Sequence, residues 1–447
     1  MKIVVIGGVA TGMSAASKIK RGNPNAEIIV FEKGIETSYG ACGLPYYVSN
    51  VNEDVNLLRI RTPEEFRKQN IDVRILHEVK EVNMEEKEVV VYNILNKTEL
   101  REKFDKLIIA SGASPIIPPI KNIKRKYENV FTLKTIEDAD KIKEYLSDDN
   151  IKNVLIIGAG YIGLEMVEAC AEINKKVTIV EMKNLLLSSV DEEISDIIHK
   201  KLEENNVSVR LSEAIKEMIG EDKVSQVISD KGQYNVDAVI VAAGVRPNTN
   251  FLKNTDVELA RNGAVITNKK METNIKDIYA GGDCSLIYHK ILNKNVYLPL
   301  GTNANKQGKI IGENILGENR EFPGAIGTAA IKVFDLEVGR TGVSEKEARE
   351  NNIDYETVFV KAPSHAPYYP NQKMISIKIV YEKNTKTILG AQLVGEKGAA
   401  LRTDIFSTII DAKYTAREVS NLDLCYAPPF AYVWDAVQIA ANVILSK

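Results

Sequence analysis

The sequence predicts an α/β chain: two parallel-sheet units, then a C-terminal α+β domain. Three observations predict it. A strand, glycine turn, helix, strand segment occurs twice. The apolar pattern changes from Phe322 onward, where antiparallel-type strands and helices follow. The length of 447 residues allows about three domains at roughly 150 residues each.

The two copies share one grammar. In the first, Ile3 to Ile6 runs into Gly7-Gly8-Val9-Ala10-Thr11-Gly12, a helical stretch to Arg21, and a strand Ile28 to Phe31 closed by Glu32. In the second, Val154 to Ile157 runs into Gly158-Ala159-Gly160-Tyr161-Ile162-Gly163, a helix Leu164 to Ile173, and a strand Val177 to Val180 closed by Glu181. The acids lie 25 and 23 residues after the first glycine. This is the dinucleotide-binding βαβ unit of Rossmann-like folds. The first glycine makes the tight turn. The middle position lets backbone approach a pyrophosphate, and the last lets helix and strand pack closely. N–H groups at the helix start then face phosphate, and the acid accepts from ribose hydroxyls. Val9 stands where the middle glycine is usual. The predicted contacts are Gly7, Gly8, Val9, Ala10, Gly12, Glu32 and Lys33 in the first copy. In the second they are Gly158, Gly160, Tyr161, Ile162, Gly163 and Glu181.

Two such sites predict two dinucleotides, FAD and NADH, with hydride passing between them. Glu181 favours NADH, and Lys183 nearby leaves NADPH possible. Further strands fit the plan. Asp105 to Ala110 ends in Ser111-Gly112, Asp237 to Ala243 ends in Gly244, and Ile278 to Ala280 runs into Gly281-Gly282-Asp283. In the C-terminal part, Ile331 to Phe334, Met374 to Tyr381 and Ile388 to Val394 read as strands, with helices at Gly398 to Ile410 and Ala431 to Leu445.

Composition excludes other classes. A net charge of −3, from 58 basic and 61 acidic residues, gives no basic surface for nucleic acid. The four cysteines, Cys42, Cys170, Cys284 and Cys425, lack metal-ligand spacing and are too few for a secreted disulfide scaffold. The N-terminus shows no export signal, and no apolar run reaches membrane-spanning length. The expectation is a cytoplasmic protein with neither metal, membrane nor nucleic-acid partner.

These motifs together resemble the FAD-dependent pyridine nucleotide-disulfide oxidoreductases over essentially the whole chain. The further carriers are Ser111-Gly112 and the segment Thr273 to Asp283. The resemblance implies a glutathione reductase-like fold: an FAD domain of residues 1–115 and 246–321, an NAD(P)H domain of 116–245, and a dimerisation domain of 322–447. It implies a homodimer whose active sites are completed by the partner subunit. It places Asp283, Ser111, Gly112 and the helix start Leu300, Gly301, Thr302 at the flavin. Tyr161, Glu165 and Gly244 fall on the nicotinamide side.

Ser38-Tyr39-Gly40-Ala41-Cys42-Gly43-Leu44-Pro45-Tyr46-Tyr47 sets the branch. Glutathione reductase-like members carry a second cysteine five positions on, where this chain has Tyr47. The sequence therefore resembles the single-cysteine branch, which includes coenzyme A-disulfide reductase, NADH oxidase and NADH peroxidase. With one thiol, electrons must pass to a mixed disulfide or a sulfenic acid. A helix after Cys42 would favour its thiolate. The other three cysteines read as packing residues.

Three features resemble coenzyme A-disulfide reductase. Tyr426-Ala427-Pro428-Pro429-Phe430 and Tyr368-Tyr369-Pro370 imply Tyr426 and Tyr368 as proton donors from the partner subunit. Ser14, Lys18 and Arg21 on the first helix, with Ser38 and Asn305, imply coenzyme A contacts. A solvated helix face is the plain alternative. Ala41 replaces the usual Asn, and Ala10 stands where peroxidases carry His. The expected reaction is NAD(P)H-dependent reduction of coenzyme A disulfide through Cys42. The alternatives are a water-forming NADH oxidase, a coenzyme A persulfide or polysulfide reductase, and, in a different class, a flavin-bound electron carrier.

Overall fold

The computed structural model describes all 447 residues. The chain forms two compact units: Met1–Ile116 with Lys134–Asp140 and Gly244–Ala325, and Ile117–Leu133 with Lys141–Ala243 and Ile326–Lys447.

In the first unit five parallel strands stand in the order Ile278–Ala280, Lys106–Ile109, Lys2–Ile6, Glu27–Phe31, Asp72–Arg74. Alternate residues enter two cores. Ile3, Val5, Ile28, Val30 and Ile108 pack with Met13, Ile19 and Ile311. Val4, Ile6, Ile29, Phe31, Leu107 and Ile109 pack with Val79, Val91 and Leu252. Burial on both faces is why these strands read as unbroken apolar runs. Ile6 lies level with Phe31 and with Ile109. The Gly7 turn, Glu32 and Ala110 therefore meet at the carboxyl end of the sheet, where open α/β sheets bind ligands. The helix Gly301–Ile315 packs against the first helix, Ala10–Gly22. A Cβ on Gly308 would come within 2.4 Å of the Thr11 carbonyl oxygen, so only glycine permits this approach.

The second unit repeats the sheet as Ser208–Arg210, Lys176–Val180, Asn153–Ile157, Ala238–Val241, Val130–Phe131, again parallel. It also holds the antiparallel C-terminal sheet, in the order Ala329–Val333, Leu336–Gly342, Ile388–Gly395, Met374–Glu382, Tyr355–Pro363. No helix is long and apolar enough to cross a membrane.

Two helix starts differ from the sequence reading. The helix expected from Leu164 spans Tyr161–Glu172, because Gly160 caps it and its carbonyl accepts from Leu164 N at 3.0 Å. The helix expected from Ala431 spans Ala436–Leu445. Asp435 caps it by accepting from Val437 N at 3.0 Å, and Gln438 returns the bond to Asp435 N. Two three-stranded antiparallel sheets, over His77–Lys103 and Ile215–Asn235, were not foreseen. Bulges at Val79/Glu81 and Ile215/Glu217 break the alternation that would have announced them.

Candidate active site

The first glycine turn is built by close backbone approach. Gly7 has φ +105, and a Cβ there would lie 2.1 Å from the Ala110 carbonyl oxygen. A Cβ on Gly12 would lie 2.0 Å from the Gly7 oxygen. Ala10 opens the helix and Val9 caps it at φ −108, outside the left-handed range that favours glycine. The Glu32 carboxylate accepts from Gly8 N at 2.6 Å and from Gly34 N at 2.7 Å. Burial pushes its carboxyl up, and those N–H groups partly offset this. Each oxygen keeps a lone pair for a ribose hydroxyl. Lys33 turns away and pairs with Glu78 at 3.0 Å.

Asp283, Ser111 and Gly112 gather in the same unit. Lys134 pairs with Asp283 at 3.5 Å, Tyr297 donates to the Asp283 carbonyl, and Ser111 Oγ donates to Asn248 O at 2.7 Å. Gly112 O accepts from Asn248 N, and Gly244 O accepts from Ile116 N. Leu300 caps the helix Gly301–Ile315, with Gly301 and Thr302 exposed at its start. Inside that helix Gln307 is 2% exposed. Its Oε1 accepts from Gly282 N at 2.8 Å, but its Nε2 is buried with no acceptor. Buried donors are almost always paired. An orphan donor beside the Gly281-Gly282-Asp283 turn fits a bound cofactor that supplies the acceptor.

Cys42 is exposed in the 3-10 turn Ala41–Gly43, directly before the helix Leu44–Val48. That helix has five residues, so its dipole assists a thiolate less than a long one would. Tyr47, five positions on, donates from its hydroxyl to Asp140 at 2.8 Å. Tyr39 donates to Lys134 O. Burial pushes the Tyr39 hydroxyl well above its ordinary pKa, so it stays a donor. The heptad Lys134–Asp140 thus anchors the tyrosines on both sides of Cys42. Ser38 holds φ +47, and the backbone there is fixed by Ser38 N to Gly8 O and Ile60 N to Ser38 O.

Of the expected coenzyme A contacts, two meet: Ser14 Oγ donates to Asn305 Oδ1 at 2.9 Å. Lys18 is drawn into ion pairs with Glu318 at 2.9 Å and Glu313 at 3.6 Å. Arg21 lies exposed one turn on.

The second turn copies the first. Gly158 has φ +104, and its Cβ would meet the Ala242 oxygen at 2.5 Å. A Cβ on Gly163 would meet the Gly158 oxygen at 2.0 Å. Glu181 accepts from Ala159 N at 2.8 Å, as Glu32 does from Gly8 N. Around Gly160 nothing lies within 4 Å of a built Cβ, which leaves the space a dinucleotide needs. Tyr161 and Ile162 open the helix, and Tyr161 OH accepts from Ser189 Oγ at 3.4 Å. The stretch before Asp191 is tethered by residues that sequence reasoning missed. Arg340 donates to Ser189 O at 2.6 Å, and Asp191 N donates to Gln392 at 2.6 Å. Both partners are more than 150 positions distant in sequence, which hides them.

Glu165 carries a carboxyl that burial pushes up to about 7. Between pH 4.5 and 7 the folded chain holds a proton that the unfolded chain releases. Stability attached to this group is therefore lost as pH rises through that window. Glu165→Gln removes the cost. Its stability relative to wild type is expected to rise between pH 5 and pH 8, by up to ~3 kcal/mol. Urea unfolding at both pH values measures this, and an equal difference at both would reject it.

In the C-terminal part the two predicted tyrosines come together: their hydroxyls are 2.5 Å apart. The hydrogen bond from Tyr368, ahead of all other effects, raises the Tyr426 pKa. Tyr368 is 70% and Tyr426 46% exposed, beside exposed Phe430, Val433 and Trp434. Cys170 and Cys284 are buried, and burial pushes their thiols up to about 12 and about 11. Cys425, expected to pack, is exposed instead. Its neighbours Leu422 to Tyr426 form no helix or strand.

The chain is similar to known proteins over essentially its whole length. The family model described as pyridine nucleotide-disulphide oxidoreductase matches residues 1–308, and its dimerisation-domain model matches 328–436. The chain is 39% identical to the NAD(P)H coenzyme A polysulfide/persulfide reductase of Pyrococcus horikoshii, covering 99% of this chain and 98% of that one. It is 32% identical to the coenzyme A disulfide reductase of Staphylococcus aureus, covering 98% of each. Among solved structures, a NAD-dependent persulfide reductase from A. fulgidus superposes with a TM-score of 0.96 at 38% identity. The match covers 100% of this chain and 83% of that one.

Proposed function

The chain belongs to the pyridine nucleotide-disulphide oxidoreductase family and is an FAD-dependent enzyme of it, and from that premise we propose that it reduces coenzyme A-bound sulfane sulfur, as persulfide or polysulfide, with NAD(P)H. The sequence alone put coenzyme A disulfide first and persulfide among the alternatives. The more similar relative is the one named for polysulfide and persulfide, which reverses that order. The observation that carries the one-thiol chemistry is an exposed Cys42 with Tyr47, tied to Asp140, where a second thiol would stand, and the similarity to the persulfide-named relative favours persulfide over disulfide.

The chain's residues do the following. The Cys42 thiolate attacks the coenzyme A-side sulfur of the persulfide, the S–S bond breaks, and hydrosulfide leaves. Cys42 then holds coenzyme A in a mixed disulfide. When bound, FAD would supply the electron pair, originating from NAD(P)H, that reduction of this disulfide requires. Cys42 returns to thiolate, and the departing coenzyme A thiolate takes a proton from the Tyr368–Tyr426 pair. Coenzyme A disulfide would follow the same course with coenzyme A thiolate as first leaving group. Glu32 and Glu181 hold the two ribose ends, and Ser14, Asn305, Ser38 and Arg21 line the substrate's path. We further propose a homodimer, in which the exposed Phe430, Val433 and Trp434 meet the partner and each tyrosine pair serves the partner's Cys42.

Steady-state rates with coenzyme A persulfide, coenzyme A disulfide and oxygen, at fixed NADH, test the assignment. The persulfide is expected to give a kcat/KM at least tenfold above the disulfide and a hundredfold above oxygen. A preference for oxygen would reject sulfur as the acceptor.

A further inference from the structure

The two tyrosine-bearing segments, Ser364 to Lys373 and Leu422 to Asp435, contain no helix or strand longer than one turn. One backbone hydrogen bond joins them, from Ala366 N to Pro428 O at 3.3 Å. Something else must hold two exposed phenols within 2.5 Å. Beneath them lies a buried ion pair. Arg402 is 7% and Asp435 6% exposed. Arg402 donates Nε to both Asp435 oxygens at 3.0 Å and one terminal nitrogen to Oδ2 at 2.7 Å.

The same guanidinium reaches each tyrosine's segment. It donates to Ser364 O at 3.0 Å, four residues before Tyr368, and to Phe430 O at 3.4 Å, four residues after Tyr426. Its other terminal nitrogen donates to Gly398 O at 3.1 Å. Gly398 itself has φ +80, and a Cβ there would fall 2.4 Å from that nitrogen. The start of the helix Ala399–Asp411 is thus shaped to admit the fork. Asp435 in turn caps the helix Ala436–Leu445, which fixes its carboxylate. A planar fork with five fixed donors suits this gathering of separate chain segments, and an ammonium does not.

We propose that the Arg402–Asp435 pair is a positioning element that sets the Tyr368–Tyr426 hydroxyl pair. The proposal rests on the reading of those tyrosines as the proton donors. A core ion pair placed only for stability would have no need to bond the carbonyls of both tyrosine segments. Loosening the pair would free each phenol from its neighbour, and the Tyr426 pKa would fall back toward its ordinary value.

The test uses the flavin-loaded enzyme with coenzyme A persulfide. Asp435→Asn keeps an acceptor for the helix cap but loses the charge, and Arg402→Lys keeps the charge but loses the fork. Both are expected to lower kcat at least tenfold with KM for NADH unchanged. The alkaline limb of the pH profile should move to lower pH. Tyr426→Phe is the reference, and adding Asp435→Asn to it should cause no further loss. If Tyr426→Phe loses activity while both variants keep wild-type kcat and pH profile, the positioning role is overturned and the tyrosine reading stands. If Tyr426→Phe is itself unimpaired, the tyrosine reading falls and the positioning role with it. Should neither variant fold, hydrogen exchange on the wild type decides. The two segments are expected to open together, and independent exchange overturns the proposal.

Discussion

Replacing Cys42 by Ser is expected to abolish sulfur reduction while leaving the flavin in place. A hydroxyl cannot form a mixed disulfide, so no electron pair reaches the substrate sulfur. The loss should be at least about a thousandfold in kcat/KM, or about 4 kcal/mol of transition-state stabilisation. Cys42 is exposed, and the exchange of sulfur for oxygen there opens no cavity in a core. Folding stability should therefore move by less than ~0.5 kcal/mol. The measurement is a pair: turnover with coenzyme A persulfide, and flavin absorbance before and after anaerobic addition of NADH. Turnover should vanish while NADH still bleaches the flavin. Turnover that survives would mean that electrons leave the flavin without Cys42. The chain would then be an electron carrier, and the role given to the tyrosine pair would go too. Cys425, although exposed, offers no rescue on this account, since it lacks the glycine-flanked turn that presents Cys42.

What could be read from the sequence follows from how local each constraint is. The glycine turns announce themselves because strand, turn, helix and acid lie within about 25 residues, and backbone sterics fix the glycines. Cys42, Tyr368 and Tyr426 are singled out by short motifs, and the two tyrosines are hydrogen-bonded to each other across 58 positions. Arg402 and Asp435 were not found. An arginine inside a helix and an aspartate before one look like surface residues until the fold brings them together. The same holds for Arg340 and Gln392 at the stretch before Asp191. Lys18 shows the converse limit of a local reading. Its basic character was legible, but the acids that neutralise it, Glu313 and Glu318, sit on another helix end. The antiparallel sheets escaped because bulges erase period-two alternation. The acceptor was the least legible feature, since disulfide and persulfide make the same demand on one thiolate.

The second large effect separates folding from binding within one motif. Gly7→Ala puts a Cβ 2.1 Å from the Ala110 carbonyl oxygen, at φ +105. That oxygen cannot retreat, because Ala110 N is itself bonded to Ile6 O at 2.8 Å in the central sheet. Left-handed strain and a backbone clash add, and the cost should exceed ~4 kcal/mol. The expected product has lost FAD and much of its cooperative unfolding transition. Gly160→Ala is the counterpart. Gly160 has φ −81 and ψ −168, which any residue adopts, and its added Cβ meets nothing within 4 Å. Stability should hold, or rise by a few tenths of a kcal/mol through the unfolded chain. The methyl group would instead occupy the approach of a pyrophosphate, so KM for NADH should rise at least tenfold with FAD content unchanged. Thermal unfolding, flavin content and NADH titration distinguish the two variants. If Gly160→Ala kept its KM, the second turn would not be where the nicotinamide dinucleotide lies. Its resemblance to the first would then be one of backbone geometry alone. If Gly7→Ala kept its flavin, the backbone would have to give way at Ala110, against its hydrogen bond to Ile6 O, and the steric argument would fall.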